Sequence, residues 1–519
     1  MATSEVLTAH KQNSSTEVVS AFTRIPYGLI RSEIDGSAKD LLDELGKICE
    51  YYKVYNDGAK FNAEGTNGDY VPSAMPYRLA ASLIDKEARF LFAEAPDVSV
   101  EMRGDTGKPS EESTEQLMAQ STMVASVLEA NSFENQLVKA ARDCFIGKRV
   151  ACMVNFSEDD GIQVQFLPST QFIYEYKLGT TKLKKFVAFM VIKDSLTLSA
   201  KRIFKKKYEL ADFNGDETVY VEEKLYDGTG YELEEVTEWQ PTKLDKIPAV
   251  VILNDGLTGD YDGESEIKLL EGYEGSYSKL ANADADAERK SMNSIIYTVD
   301  MDNASTKNLS SAPGAFWDLG SDQTLEKPSP QVGSIEPSMS YSGALKTTLD
   351  RIKSTGYEQV DVPNVNIETM SGSITSGKAL KAIYWPLIVR CKEKMKTWAP
   401  AIKYIVSSII DGAIEYQNCA KLYTSVALFP IAYEVHVKQN TPLPEDETEE
   451  KSIDLSEVQA NVMSKKSYMK KWHGLTDDEV DEELKQIAIE REIVEEASFH
   501  GNVSGLPYGS EDDHAELGE

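Results

Sequence analysis

The sequence predicts an α+β fold, with helices and strands gathered in separate stretches of chain. Two changes of period carry this prediction. Apolar residues recur three or four apart before residue 142 and again after Glu264, whereas residues 150–250 read as short strand-like runs broken by glycine turns. Size adds a third constraint. With 519 residues, 41% of them hydrophobic, the chain exceeds what one core usually serves, so two to four structural units are expected.

Residues 1–30 read as an arm poor in order, with flexibility expected through residue 34. Leu41, Leu42, Leu45 and Ile48 share one face of a helix over 36–50, before a turn at Asn56-Asp57-Gly58. A second helix fits 76–93, presents Leu79, Leu83, Phe90 and Leu91, and stops at Ala95-Pro96. Val98–Met102 follows as a strand, and one long helix over 114–142 ends before Gly147. Strands are expected at Val150–Phe156, Ile162–Leu167 and Phe172–Tyr176, then a β-meander through 177–250 with turns at Phe213-Asn214-Gly215 and Asp227–Gly230.

Leu270, Tyr273, Tyr277 and Leu280 then mark an amphipathic helix from about Glu264 to Ser294. Residues 303–340 form an excursion rich in Ser, Gly and Pro that contains a strand-like Ala315–Leu319. Leu345, Leu349 and Ile352 define a returning helix, with Gly356 as its terminator. A further helix starts near Ser376 and displays Leu380, Ile383, Leu387, Cys391, Met395 and Trp398. Pro386 within it removes a backbone donor and crowds the Ala382 carbonyl, so a kink is expected there. Another helix fits 401–417, and a strand over Ser425–Lys438 precedes Pro442-Leu443-Pro444. The remainder is helical and acidic: residues 441–519 hold 22 Asp and Glu against 7 Lys and Arg.

A formal charge of −32 argues against the broad basic footprint of a free-standing DNA-binding protein, though not against a role in surrounding or guiding nucleic acid. The five cysteines, Cys49, Cys144, Cys152, Cys391 and Cys419, are scattered without CxxC or zinc spacing, which points to a reduced compartment and no disulfide framework. The histidines, His10, His436, His473, His500 and His514, read as surface or minor core residues. The opening MATSEVLTAHKQNSS lacks the pattern of a secretory signal, and no apolar run reaches the length of a membrane span. Ten Lys and Arg fall between Lys177 and Lys207, against Asp194 and Glu209 in 177–209. That run fits either a nucleic-acid patch or a sheet face paired with acidic neighbours.

The stretch Gly372–Ala379, GSITSGKA, comes within one residue of a phosphate-binding loop. Lys378 is in place, but Ala379 stands where a hydroxyl must bind magnesium, and Asn364–Met370 is too polar for the buried strand such a loop requires. The run ending in Asp300 resembles a magnesium-binding strand only by pattern. A helix start explains the stretch better: Gly372 turns the chain, Thr375 or Ser376 caps, and Gly377 enters the first turn. No catalytic, cofactor-binding or metal-ligating residue is assigned, and no cofactor is expected.

The order of several short motifs resembles the tailed-bacteriophage portal proteins, especially the SPP1-like branch from Firmicute phages. The carriers are Tyr55–Gly58, Phe90–Pro96, Asn131–Phe133 with Gly147, Ser376–Lys381, Asn440–Glu445, Lys465–Tyr468 and the acidic helix Asp478–Glu496, within about 35–497. The glycine of the family's Tyr-x-x-Gly-x-Pro run falls at Ala93 or Glu94 here, and Lys378 is at a variable position. The resemblance implies a portal fold assembling into a ring, usually of twelve copies. Beyond the flexible arm read at 1–34, it implies a wing at 35–263 and a stem helix at 264–296. A clip follows at 297–340, then a second stem helix at 341–357 and a tunnel loop at 358–375. The kinked helix and the rest of the wing take 376–440 and an α-helical crown 441–497, while 498–519 reads from its own composition as an acidic flexible tail. It further implies no enzyme activity and a place at the portal vertex of the capsid after assembly in the host cytoplasm. Implied partners are double-stranded DNA in nonspecific passage, the terminase large subunit, a head–tail connector or adaptor, and the scaffold and major capsid proteins, with no membrane. Gly356, Gly372 and Gly377 flank the loop and would allow it different backbone states. Another homo-oligomeric head–tail connector and a nucleotide-dependent enzyme are the competing readings.

Overall fold

In a computed structural model of the protein, the residues described are 25–34, 39–60, 72–103, 111–193, 201–213, 216–254, 256–258, 262–292, 295–302, 320–322, 324–327, 329–335, 339–365, 377–442, 447–476 and 479–490. The chain divides into two compact units, Met1–Met370 with Ile383–Pro442, and Ser371–Ala382 with Leu443–Glu519. The elements in order are α1 (Tyr27–Ser32), α2 (Lys39–Asp57), α3 (Leu79–Phe92), β1 (Asp97–Met102), α4 (Glu111–Ala130), α5 (Phe133–Gly147), β2 (Arg149–Ser157), β3 (Gly161–Pro168) and β4 (Phe172–Tyr176). Then come β5 (Leu183–Lys193), β6 (Lys201–Phe213), β7 (Asp216–Asp227), β8 (Glu232–Pro241), β9 (Ala249–Leu253), α6 (Glu266–Met292), β10 (Ile295–Val299), β11 (Gln331–Ile335) and α7 (Ser342–Gln359). The last are α8 (Gly377–Glu415), α9 (Gln417–Ala420), β12 (Tyr433–Lys438), α10 (Glu447–Gln459) and α11 (Lys465–His473).

The first unit is layered, and alternation along two strands shows how. On β2, Val150, Cys152 and Val154 enter the helical core, while Ala151 and Met153 meet the second sheet. On β5, Phe186 and Ala188 face that same inter-sheet core, while Val187 and Phe189 pack against α1 and α2. An antiparallel three-stranded sheet, β3-β2-β9, thus lies between the helices and a five-stranded meander, β4-β5-β6-β7-β8. β5 is apolar on both faces because both are covered.

Much of the basic run of the meander is paired with acidic neighbours. Lys206 Nζ lies 2.8 Å from Glu223, Lys207 3.0 Å from Glu209 and Lys184 2.9 Å from Glu175, and Lys177 pairs with Glu217. Lys205 and Lys185 converge on Glu33 at 2.6 and 3.1 Å. Burial raises the Glu33 pKa, but these two ammonium groups more than offset it and leave the carboxyl below its ordinary value.

Several expectations are corrected. The arm is packed from residue 25 onward: Ile25, Leu29 and Ile30 are buried against Ile173, Val187, Phe189 and Ile203. Residues 1–24 lie outside the described residues. The helix expected over 114–142 is two helices, because Ser132 takes a left-handed φ of 48°. Asn131 bonds there to β3 rather than continuing the helix, donating to Ile162 O at 2.9 Å and accepting from Val164 N at 2.9 Å. The helices expected at 376–398 and 401–417 are one, running through Pro386 and Pro400. An internal proline costs about 3 kcal/mol, but each buried large side chain contributes about 1.5–3 kcal/mol. Trp398, Ala401, Ile402, Ile405, Val406, Ile409 and Ile410 continue one buried stripe across Pro400, and burial wins. The strand expected at Ser425–Lys438 begins only at Tyr433. Before it, the backbone is held by glutamines: Gln116 Nε2 donates to Ala427 O at 3.0 Å, Gln120 Nε2 to Phe429 O at 2.8 Å and Gln417 Nε2 to Leu428 O at 3.1 Å. The strand expected at 315–319 and the turn at 213–215 fall on residues outside those described, apart from Phe213.

One buried acid makes stability depend on pH. Asp143 accepts a 2.9 Å hydrogen bond from Tyr52 Oη. Burial raises its pKa from 3.8 to about 6, only partly opposed by Tyr52 and Arg142. The folded state therefore holds this proton more tightly than the unfolded chain. Its stabilising contribution is present below 3.8 and is lost as pH rises through about 6, a change of about 3 kcal/mol. Asp143→Asn is expected to flatten the fall in urea-unfolding free energy between pH 4 and 6; a slope unchanged by the substitution contradicts this.

The second unit contains α10, α11 and a helical stretch at 479–490. Asp454 joins the first two, accepting from Trp472 Nε1 and Lys471 Nζ at 2.7 Å each. Ser464 caps α11 by accepting from Ser467 N, and Gly474 closes it at φ 65°. Glu479 reaches back to Thr476, accepting from its backbone N at 2.8 Å and from its Oγ1 at 2.9 Å.

Candidate functional site: the antiparallel helix pair and its buried anchor

α6 and α7 pack side by side and run in opposite directions. Tyr341, before α7, lies near Asp284 late in α6, while Tyr277 nearer its middle lies near Asp350. At one end the pair is joined to the antiparallel β10–β11 hairpin, where Ile295 pairs with Ile335 and Val299 with Gln331. Tyr297 lies opposite Gly333, and its ring covers that glycine: a Cβ there would come within 2.5 Å of it. Beyond the hairpin, Asp300 takes φ 55° and accepts from Ser329 N at 3.1 Å and, through its carbonyl, from Asp322 N at 3.0 Å. Its role is to shape a turn. The stem helix expected through residue 296 ends at Met292, because 295 and 296 already belong to the hairpin.

A polar ladder fastens α6 along its length. Glu274 Oε1 accepts from Ala59 N at 2.6 Å and its Oε2 from Ala80 N at 2.7 Å. Ser278 Oγ accepts from Tyr77 N at 3.3 Å, Asn282 Oδ1 from Met75 N at 2.8 Å, and Asp286 from Ser73 N at 3.0 Å. Four helical residues rise about 6 Å, and two extended residues span about 6.6 Å. A helix with acceptors every fourth position therefore matches the amides of every second residue in 73–77. Burial raises the Glu274 pKa, and its two amide donors only partly oppose that rise.

The base of the pair is held by buried charges. Glu266, in the first turn of α6, accepts from Lys394 Nζ at 2.8 Å and Arg390 Nη2 at 2.7 Å. Arg390 Nε also donates to Glu87 of α3 at 2.7 Å, and Lys394 Nζ to Asn254 Oδ1 at 2.7 Å. Past the end of α7, Asp361 lies 3.7 Å from Arg390. Glu87, Glu266 and Lys394 are at most 2% exposed. Burial pushes both carboxyls upward. For Glu266, Lys394 and Arg390 overcome it and lower the pKa to about 2, whereas Glu87 stays above its ordinary value. Gly263 makes the approach to α6 possible. It has φ 75°, and a Cβ there would lie 2.5 Å from Lys148 O and 2.6 Å from Asn254 O.

Gly356 does not end α7, which continues to Gln359. The glycine is buried inside the helix, where a Cβ would come 3.3 Å from Leu79. Its lack of a side chain is thus used for close packing. Gly372 lies outside the described residues, and Gly377 opens α8, which places Lys378 in a first helical turn. Among the described residues preceding it, 361–365 carry no strand. All five cysteines are buried thiols. His436 is 3.8 Å from Glu101 on the β1–β12 pair, and His473 is in the last turn of α11. Among the described residues, no three His, Cys, Asp or Glu side chains gather as metal ligands, and no helix is long and apolar enough to cross a membrane.

These residues define a structural class of protein: a layered α+β body holding a fastened helix pair that leads to a two-stranded antiparallel ribbon. The sequence takes the identification further. A family model described as "Phage portal protein, SPP1 Gp6-like" matches residues 33–497, and the chain belongs to that family. No individual curated protein shows a match. Membership makes it a structural protein of the phage capsid's portal, serving genome packaging and ejection rather than catalysis. Sequence reading missed the ladder Glu274, Ser278, Asn282 and Asp286 and the buried Glu87, Glu266, Arg390 and Lys394. The four-residue polar period was visible for the first set; no local signal marked the second.

Proposed function

We propose that copies of this chain close into a ring, twelve in the virion, around a passage for double-stranded DNA. In this reading the wing takes 35–263 and 376–440, the stem α6 and α7, the clip the segment from β10 through residue 340, the tunnel loop 358–375 and the crown 441–497. The observation that carries it is the helix pair, fixed at its base by Arg390 and Lys394, fastened along α6 by backbone amides, and leading to a hairpin. Such a pair resists bending under load. The clip would dock the terminase large subunit during packaging and a head–tail connector afterwards. The wing and crown would meet scaffold and major capsid protein during assembly in the host cytoplasm. The −32 charge suits a conduit, because a uniformly basic wall would hold phosphates through many ion pairs and slow sliding. Native mass spectrometry of the purified protein is expected to show closed rings; a single copy at every concentration overturns the reading.

The hairpin supplies a narrower test. Val299 and Val332 are exposed there at 42 and 47%. Val299→Asp with Val332→Asp, leaving Tyr297 over Gly333, is expected to preserve rings but weaken terminase binding roughly tenfold or more. Unchanged terminase affinity and packaging contradict docking at this hairpin.

A further inference from the structure

Copies closing a ring meet head to tail, so each joint brings two different patches of the same chain together. Two exposed patches of the first unit are complementary. One is β8, the outer strand of the meander, exposed along nearly its whole length. It displays Leu233, Val236 and Trp239, with Glu234 and Glu238 among them. Lys224 engages Glu232 and Glu235 at 3.6 and 3.3 Å, whereas Glu234 and Glu238 have no ion-pair partner among the described residues. Trp239 is already held in place, stacked 5.2 Å from Tyr220 with Lys207 over its ring.

The second patch is a face of α8. Trp385, Val389, Lys392 and Lys396 are exposed and follow one another at intervals of four, three and four, which aligns them along the helix. Lys392 and Lys396 likewise have no ion-pair partner among the described residues. The helical stripe is about 17 Å long and the stretch from Leu233 to Trp239 about 20 Å, so the two are similar in length and opposite in the sign of their unpaired charges.

We propose that in the ring β8 of one copy lies against this face of α8 in the next. The acidic side chains Glu234 and Glu238 then lie toward the end of the α8 face that carries Lys392 and Lys396, and the exposed apolar side chains of β8 cover Trp385 and Val389. The inference rests on the ring reading above. Charges on an edge strand also discourage wrong pairing. Protection alone does not account for three large apolar side chains within seven residues, which mark a contact surface whose partner the charges select.

The test is a charge exchange on the full chain. Glu234→Lys with Glu238→Lys, and separately Lys392→Glu with Lys396→Glu, are each expected to raise the protein concentration needed for rings roughly tenfold or more. Unchanged circular dichroism and melting temperature verify that the exposed substitutions leave the fold intact. Combining both pairs in one chain is expected to restore assembly to within a few-fold of the parent. Rings indifferent to either pair overturn this joint while leaving the ring reading standing. Weakening by both pairs without restoration on combination overturns the pairing of these two faces. A parent chain that never forms rings removes the ring reading and the joint together.

Discussion

Lys394→Met is expected to lower the unfolding free energy by about 3–5 kcal/mol, because it removes one partner from a buried charge cluster and strands the others. Lys394 is 1% exposed and donates to Glu266 at 2.8 Å and Asn254 at 2.7 Å, with Glu87 3.4 Å away. Without it, two buried carboxylates share only Arg390. Glu87 Oε2 already has no hydrogen-bond partner among the described residues, and the Glu87 pKa is raised mainly by burial. Glu87→Gln introduced beside Lys394→Met should therefore recover part of the loss, leaving Arg390 to Glu266. Urea unfolding of the two variants checks this; a single-variant loss below about 1 kcal/mol contradicts the account. The acid side has a defined sign. The folded pKa of Glu266 lies below the unfolded one, so its contribution is present above 4.5 and is lost as pH falls through about 2.

Trp398→Ala should cost a similar amount, about 3–5 kcal/mol, by a different route. The indole is 1% exposed, meets Phe92 of α3 edge-on at 4.9 Å and approaches Phe166 of β3 at 6.4 Å. Its removal opens a cavity where α8, α3 and the inner sheet meet. Fixed helices and strands cannot collapse into such a space without disturbing one another. Trp398→Phe should keep much of the packing and lose less. Equal losses for Ala and Phe would mean that ring volume does not govern this contact.

What could be read from the sequence was whatever short-range patterning controls. Meander strands, the α6 stripe and the returning helix announce themselves because burial on one or two faces imposes their period. The failures share a physical cause. Asn131 breaks a helical run by bonding to β3, and Gln116 and Gln120 hold 427–429 out of a strand; both partners are distant in sequence. Pro400 falls between the two helices expected here, but the buried stripe either side of it outweighs the missing amide. Ile25, Leu29 and Ile30 were hidden by Pro26 and Gly28 between them. For the helix pair, the apolar stripe of α6 is legible, while the partner of its polar period, 73–77, lies some two hundred residues away in sequence. The charge cluster joins residues 87, 254, 266, 390 and 394, and no local period could have gathered them.

A cryo-EM reconstruction of the assembled protein tests the central claim most directly. The account predicts a closed ring with α6 and α7 of every copy set around a bore wide enough for duplex DNA, and without a continuous basic sleeve lining it. A ring whose α6–α7 pairs point away from the bore would contradict it, as would a reconstruction containing one isolated copy.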